Sequence, residues 1–193
     1  SVEEYLAFEE RAEGKHEYFH GEIFDMAGGS PEHNAIAFNL SSELGRQLED
    51  RPCQGFSSDQ RVKITRTGLY TYPDLSIVCA TPQFDEQRPR SLLNPLLIVE
   101  VLSDTTEAYD RGAKFEHYRT LPSLREYVLV ASNRRCVERF TRQPDSDDWV
   151  LAACTDPEGA IALPSIGCRL ELARVYHKVE LPAPSLRLRT ELE

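Results

Sequence analysis

Apolar residues recur every four positions between 36 and 48, at Ile36, Leu40, Leu44 and Leu48, with Ala37 and Ser41 beside them. That spacing predicts a helix with one buried stripe, capped by Ser30 with Pro31 in its first turn. A shorter helix is expected over residues 3–13 (EEYLAFEERAE), with Tyr5, Leu6 and Phe8 inward and Glu9, Glu10 and Glu13 in water. The segment HEYFHGEIFDMAG between them reads as a hairpin closing near Gly21. Beyond Pro52 the period changes. Residues 60–65 alternate, setting Val62 and Ile64 opposite Lys63, and Thr67-Gly68 marks a turn. Residues 74–80 (DLSIVCA) and 96–102 (LLIVEVL) are apolar strands joined by a polar loop, the second a buried central strand. Residues 107–120 pattern as a helix that Gly112 weakens and Pro122 terminates. Three strands follow, at 127–131, 136–141 and 149–154, with a turn at Asn133-Arg134. No linker divides the chain, so one domain over 1–181 is expected, followed by a tail at 182–193. The class is α/β in the mixed α+β sense, one sheet with helices packed against it.

Charge sharpens this picture. The chain carries a net charge of -10, and residues 1–50 hold 3 basic against 12 acidic side chains, leaving the rest near neutral. A histone-like, non-specific nucleic-acid binder needs a basic surface to release counterions, and that class is excluded. An enzyme whose acidic centre takes up a divalent cation is not. No run approaches 18 apolar residues, so no membrane span is expected. No secretory signal pattern opens the sequence. The five cysteines are widely spaced without a CxxC, so neither a zinc site nor a disulfide framework is expected, and a cytoplasmic setting is the natural reading.

Glu100 is the strongest chemical signal, because a carboxylate inside LLIVEVL is expensive to bury unless paired, hydrogen-bonded or bound to metal. Asp74, after Tyr72-Pro73, stands at the mouth of another strand. If the strands are neighbours, the two acids converge on an oxygen-ligand site for a hard cation. The alternative is that Glu100 pairs with a buried basic residue and Asp74 caps a turn. Lys114 shares a helix face with Asp110 and Tyr118. It is either an amine folded back over the end of the Glu100 strand or half of a solvated ion pair. His33 reads as a surface or capping histidine, and HEYFH is not a zinc-protease motif. Gln60 and Lys63 lie on a strand whose cleft face is open, and Gly28-Gly29-Ser30 is too short for a phosphate loop.

Five stretches carry a family resemblance: EYFHGEIFDMAGGSPEH (17–33), YPDLSIV (72–78), LLIVEVLSDTT (96–106), DRGAKFEHYR (110–119) and LREYVLV (124–130). In this order they resemble the Uma family of restriction endonuclease-like proteins, within the PD-(D/E)XK nuclease superfamily. The resemblance implies a restriction endonuclease-like fold, a central mixed sheet flanked by helices. It also implies a divalent-metal-dependent endonuclease acting on DNA. Pro73-Asp74 becomes the PD element and Glu100 the second acid, holding Mg²⁺ (or Mn²⁺) together with the backbone carbonyl of Val101. Glu17 matches the N-terminal acidic position, adding a metal or water contact. The usual lysine two residues after the second acid is replaced by Leu102, which leaves Lys114 as the substitute cation. Cleaving both strands of a duplex implies a homodimer. A non-catalytic binding or assembly protein of the same fold, or an enzyme acting on small phosphate esters, are the alternatives.

Overall fold

The computed structural model describes residues 1–182, so nearly all of the tail expected at 182–193 lies outside the described residues. Helix α1 (Val2–Glu9) opens with a Ser1/Glu4 capping box. It ends four residues before the sequence pattern suggested. No basic residue sits in its last turn to offset the negative end of the helix dipole, and Glu9 folds inward instead of facing water. Strands β1 (His16–Phe19) and β2 (Glu22–Asp25) form the expected hairpin. His20 and Gly21 both take positive φ at its turn, 51° and 90°, the pattern of a two-residue hairpin loop. Helix α2 (Pro31–Leu48) carries the four-residue stripe, and Ser30 caps it by accepting the His33 N–H.

Strand β3 (Gln54–Ser57), which the sequence pattern does not reveal, precedes β4 (Val62–Ile64) and β5 (Leu69–Thr71). The apolar strands become β6 (Leu75–Val78) and β7 (Leu97–Leu102), and β8 (Glu126–Ala131), β9 (Val137–Arg142) and β10 (Trp149–Cys154) follow. The helix expected over 107–120 is two short helices, α3 (Glu107–Arg111) and α4 (Ala113–Tyr118). They break at Gly112, where φ -108° and ψ -102° leave helical space. Strands β11 (Ala160–Leu163) and β12 (Cys168–Glu171) with α5 (Leu172–Val175) complete the described elements.

The single sheet expected from the pattern is three. A six-stranded sheet in the order β10-β9-β8-β7-β6-β3 is antiparallel except for the central β7–β8 pair. A four-stranded sheet runs β2-β1-β5-β4, and β11–β12 stand apart. The strand period divides the large sheet cleanly. Leu75, Ile77, Val99, Val101, Val128 and Val130 face the α2 stripe, and α5 closes the same core. On the other face Ile98, Leu102, Tyr127 and Leu129 meet Val62, Ile64 and Leu69 of the small sheet and Tyr118 of α4. Glu100 shares parity with Ile98 and Leu102, so it points into the layer between the two sheets.

Cys53 and Cys79 are joined by a disulfide, which corrects the expectation of unbonded cysteines. The register Gln54↔Val78 sets the two residues opposite each other at the end of the β3–β6 pair. Two intervening strands hide that pairing in the sequence. Among the described residues no helix is long and apolar enough to cross a membrane.

Candidate active site

Four elements bring the candidate residues together. Antiparallel pairing sets Leu75 opposite Val99, so Asp74, one residue before β6, lies beside Glu100 on β7. The Asp74 N–H donates to Glu100 Oε2 at 3.3 Å, and Asp74 Oδ2 accepts the Val101 N–H at 2.7 Å. In a strand the N–H and C=O of one residue point to the same side, which turns the Val101 carbonyl toward Asp74 as well. Leu102, where the usual lysine would stand, is buried in the apolar layer.

Lys114 reaches this junction from α4. Its Nζ lies 2.9 Å from Glu100 Oε1, 3.3 Å from Glu17 Oε1 and 3.4 Å from Asp110 Oδ1. All four side chains are at most 10% exposed, so the solvated-pair reading of Asp110 and Lys114 is wrong. Tyr118 donates to Glu100 Oε1 at 2.8 Å, and Tyr109 donates to Glu17 Oε2 at 3.0 Å. Thr71 on β5 donates to Glu17 Oε1. The Tyr127 hydroxyl donates to the Asp110 carbonyl at 3.0 Å, tying the helix break to the central sheet.

Burial and charge set the protonation states. Burial pushes the Glu100 carboxyl up to about 8 despite the attraction of Lys114. It raises Asp110 as well, again against Lys114. Burial alone would lower Lys114, but Glu100, Glu17 and Asp110 drive it well above the ordinary lysine value. The ammonium therefore keeps its proton across the neutral range. It can donate hydrogen bonds and offset negative charge, and it is unsuited to act as a general base. Among the described residues no three His, Cys, Asp or Glu side chains form a ready metal-ligating group. Glu17, Glu100 and Asp110 converge on the lysine instead.

His33 is placed differently from its sequence reading. Its backbone N–H satisfies the Ser30 cap, but its ring turns to Asp74, with Nε2 3.2 Å from Oδ2. Burial would lower its pKa, and the Asp74 contact outweighs that and raises it. His16 belongs elsewhere, 2.9 Å from Glu9 and 3.4 Å from Asp25. Lys63 lies 3.7 Å from Asp85, and Gln60 bonds the Arg61 and Arg90 carbonyls, so neither joins this cluster. Tyr109 and Thr71 escaped sequence reasoning. Their one available signal was the antiparallel neighbourhood of β1 and β5, which brings Thr71 beside Glu17.

A mixed sheet flanked by helices, with acids at the ends of adjacent strands, is the architecture of restriction endonuclease-like proteins. A crystal structure from Anabaena variabilis described as "a putative nuclease belonging to DUF820" superposes with a TM-score of 0.68. It covers 86% of this chain and 91% of that one at 17% identity, a likeness of fold. The Uma2 family, described as "Putative restriction endonuclease", matches residues 2–174, and this chain belongs to it. Two uncharacterized proteins of Synechocystis sp. are each 39% identical. Slr1290 aligns over 176 residues (91% of this chain, 90% of that one), and sll1609 over 148 (77% and 83%).

Proposed function

We propose that the protein is a divalent-metal-dependent endonuclease that hydrolyses DNA phosphodiester bonds. The observation that carries this reading is the convergence of Asp74, Glu100 and Lys114 from three elements, although Lys114 lies 14 residues beyond Glu100 in the chain. The donors suit a hard cation: two carboxylates and the Val101 carbonyl are an incomplete oxygen set, and Mg²⁺ typically takes one or two carboxylates and keeps several waters. Glu100 supports the same reading, because a buried acid titrating near 8 is stabilised in its charged form by a cation beside it. A divalent ion there would neutralise phosphate charge and make a water more acidic.

The chain's own groups do the rest. Asp74 is aimed by the Val101 N–H, and Glu100 by the Tyr118 hydroxyl and Lys114. Lys114 holds its proton and offers N–H donors to the charge that develops as a water oxygen bonds to phosphorus. The phosphorus–oxygen bond to the leaving sugar then breaks, and that oxygen takes up a proton. Glu17, braced by Thr71 and Tyr109, steadies Lys114 from the small sheet. Two copies, one per strand, would deal with a duplex.

The test is nicking of supercoiled plasmid with Mg²⁺ or Mn²⁺. Wild type should nick the plasmid, and Asp74→Asn should lower the rate by about 10³-fold. A second reading, a non-catalytic binding protein, is favoured by the near-complete burial of Lys114 among acids. Absence of metal-dependent nicking by wild type would select it.

A further inference from the structure

Gly28-Gly29-Ser30, which a phosphate loop does not explain, has a purpose in the geometry around His33. A Cβ on Gly29 would stand 2.4 Å from His33 Nδ1 and 2.8 Å from Cγ, so only glycine there leaves room for the ring in this position. Ser30 fixes the same residue from its other side by capping the His33 N–H at 3.2 Å. The ring is thus wedged with Nε2 3.2 Å from Asp74 Oδ2, and Nδ1 is buried without a hydrogen-bond partner among the described residues. A buried unpaired ring nitrogen costs about 1–3 kcal/mol, so this is an expensive way merely to cap a helix. His33 stands at the third position of an 18-residue helix, which packs rigidly through its leucine stripe. That is a precise mounting for one side chain.

From this arrangement we infer that His33 is a further ligand of the divalent-ion centre, adding an imidazole nitrogen to the oxygens of Asp74, Glu100 and Val101. The inference rests on the metal-centre reading above and goes beyond it by specifying the ion. Two donor atoms bound at about 2.1 Å and at right angles to one octahedral ion lie about 3.0 Å apart. The observed 3.2 Å between Nε2 and Oδ2 needs little adjustment to meet that spacing. A nitrogen donor discriminates between ions: imidazole suits first-row transition metals, whereas Mg²⁺ prefers oxygen and water. The site should therefore hold Mn²⁺ in preference to Mg²⁺, and His33 should be the reason.

Bound Mn²⁺ reports its own ligands. Pulsed electron paramagnetic resonance of the full chain loaded with Mn²⁺ should show coupling to a directly bound ¹⁴N nucleus, lost in His33→Ala and His33→Gln. Calorimetry should show Mn²⁺ affinity falling by roughly tenfold or more in both variants, with Mg²⁺ affinity changing far less. His33→Gln separates the possible roles, because an amide can still hydrogen-bond Asp74 but supplies no comparable metal ligand. Restoration of Mn²⁺ affinity by Gln would reduce His33 to a positioning residue and overturn the proposal. If Mn²⁺ binds, and Asp74→Asn removes it, but no nitrogen coupling appears, the ligand role of His33 is refuted while the metal centre stands. If wild type binds neither ion, both fall together.

Discussion

Two side chains in this protein bury a full positive charge, and their surroundings are opposites. Arg61 is 2% exposed, and among the described residues no carboxylate lies within ion-pair distance of it. Its guanidinium lies over the rings of Tyr5 and Tyr70, each 5.3 Å away, and donates to Ser91 Oγ at 2.9 Å and to the Pro89 carbonyl. Lys114, 4% exposed, has three carboxylates around one ammonium and a fourth, Asp74, behind Glu100. Arg61 is satisfied by ring faces and neutral oxygens, which suits a planar, weakly hydrated cation that can never lose its proton. Lys114 sits in an excess of negative charge that the fold does not cancel. The first arrangement fastens α1 and the loop around Ser91 to the small sheet. The second leaves capacity for another cation, and that surplus is what makes it a candidate centre.

Removing each cation should expose the difference. Lys114→Met leaves Glu17, Glu100 and Asp110 uncompensated, so it should cost about 3–5 kcal/mol near pH 7.5 by urea unfolding. The expectation from the sequence that Lys114 could be truncated with the fold untouched assumed a solvated lysine. The loss should shrink near pH 5. Glu100 and Asp110 have folded pKa values above their unfolded ones, so between the ordinary carboxylate range and about 8 the native state binds more protons than the unfolded one. Stability contributed by these two acids therefore falls as pH rises through that window. Lys114, raised above its ordinary value, adds stability that disappears only in strong alkali.

The disulfide bears on both regions. The segment it closes, with a sequence separation of 26, carries Arg61, Thr71 and Asp74. Cys53→Ser together with Cys79→Ser should cost roughly 3 kcal/mol by the loop-entropy argument. Thiol titration of the native wild-type chain should find the three free cysteines, Cys136, Cys154 and Cys168. Arg61→Met should cost less, about 1–2 kcal/mol, and stay flat between pH 5 and 8 because no titrating partner is left behind. A steep pH dependence in that variant would break the comparison. The smallest effect is Tyr118→Phe, about 1 kcal/mol, through the loss of one hydrogen bond to Glu100.

The acids of the centre were legible in the sequence for a physical reason: a carboxylate inside LLIVEVL has no cheap explanation, and Asp74 opens the only other strongly apolar strand of that half. The α2 stripe was equally plain. What the sequence hid was pairing over distance. Gln-Gly-Phe-Ser has no strand signal, so β3 and the Cys53–Cys79 bond it brings about could not be anticipated. Glu9 looked like one more surface acid of an acidic helix, yet it accepts the Tyr72 hydroxyl at 2.7 Å and the His16 N–H at 3.0 Å. His33 satisfied a helix cap so well that its ring, aimed at a residue 41 positions away, went unread. Gly112 was recognised as a weakness, but the complete break it makes depends on tertiary ties such as that from Tyr127 to Asp110.

The account stands or falls on whether the anionic surplus around Lys114 holds a divalent ion beside Asp74. Anomalous diffraction from crystals of the full chain soaked in Mn²⁺ tests this directly. The account predicts one strong peak bounded by the Asp74 and Glu100 carboxylates and the Val101 carbonyl, with Lys114 still paired to Glu17 and Asp110. No peak at saturating Mn²⁺, or one bound only by surface acids of the first 50 residues, would contradict it.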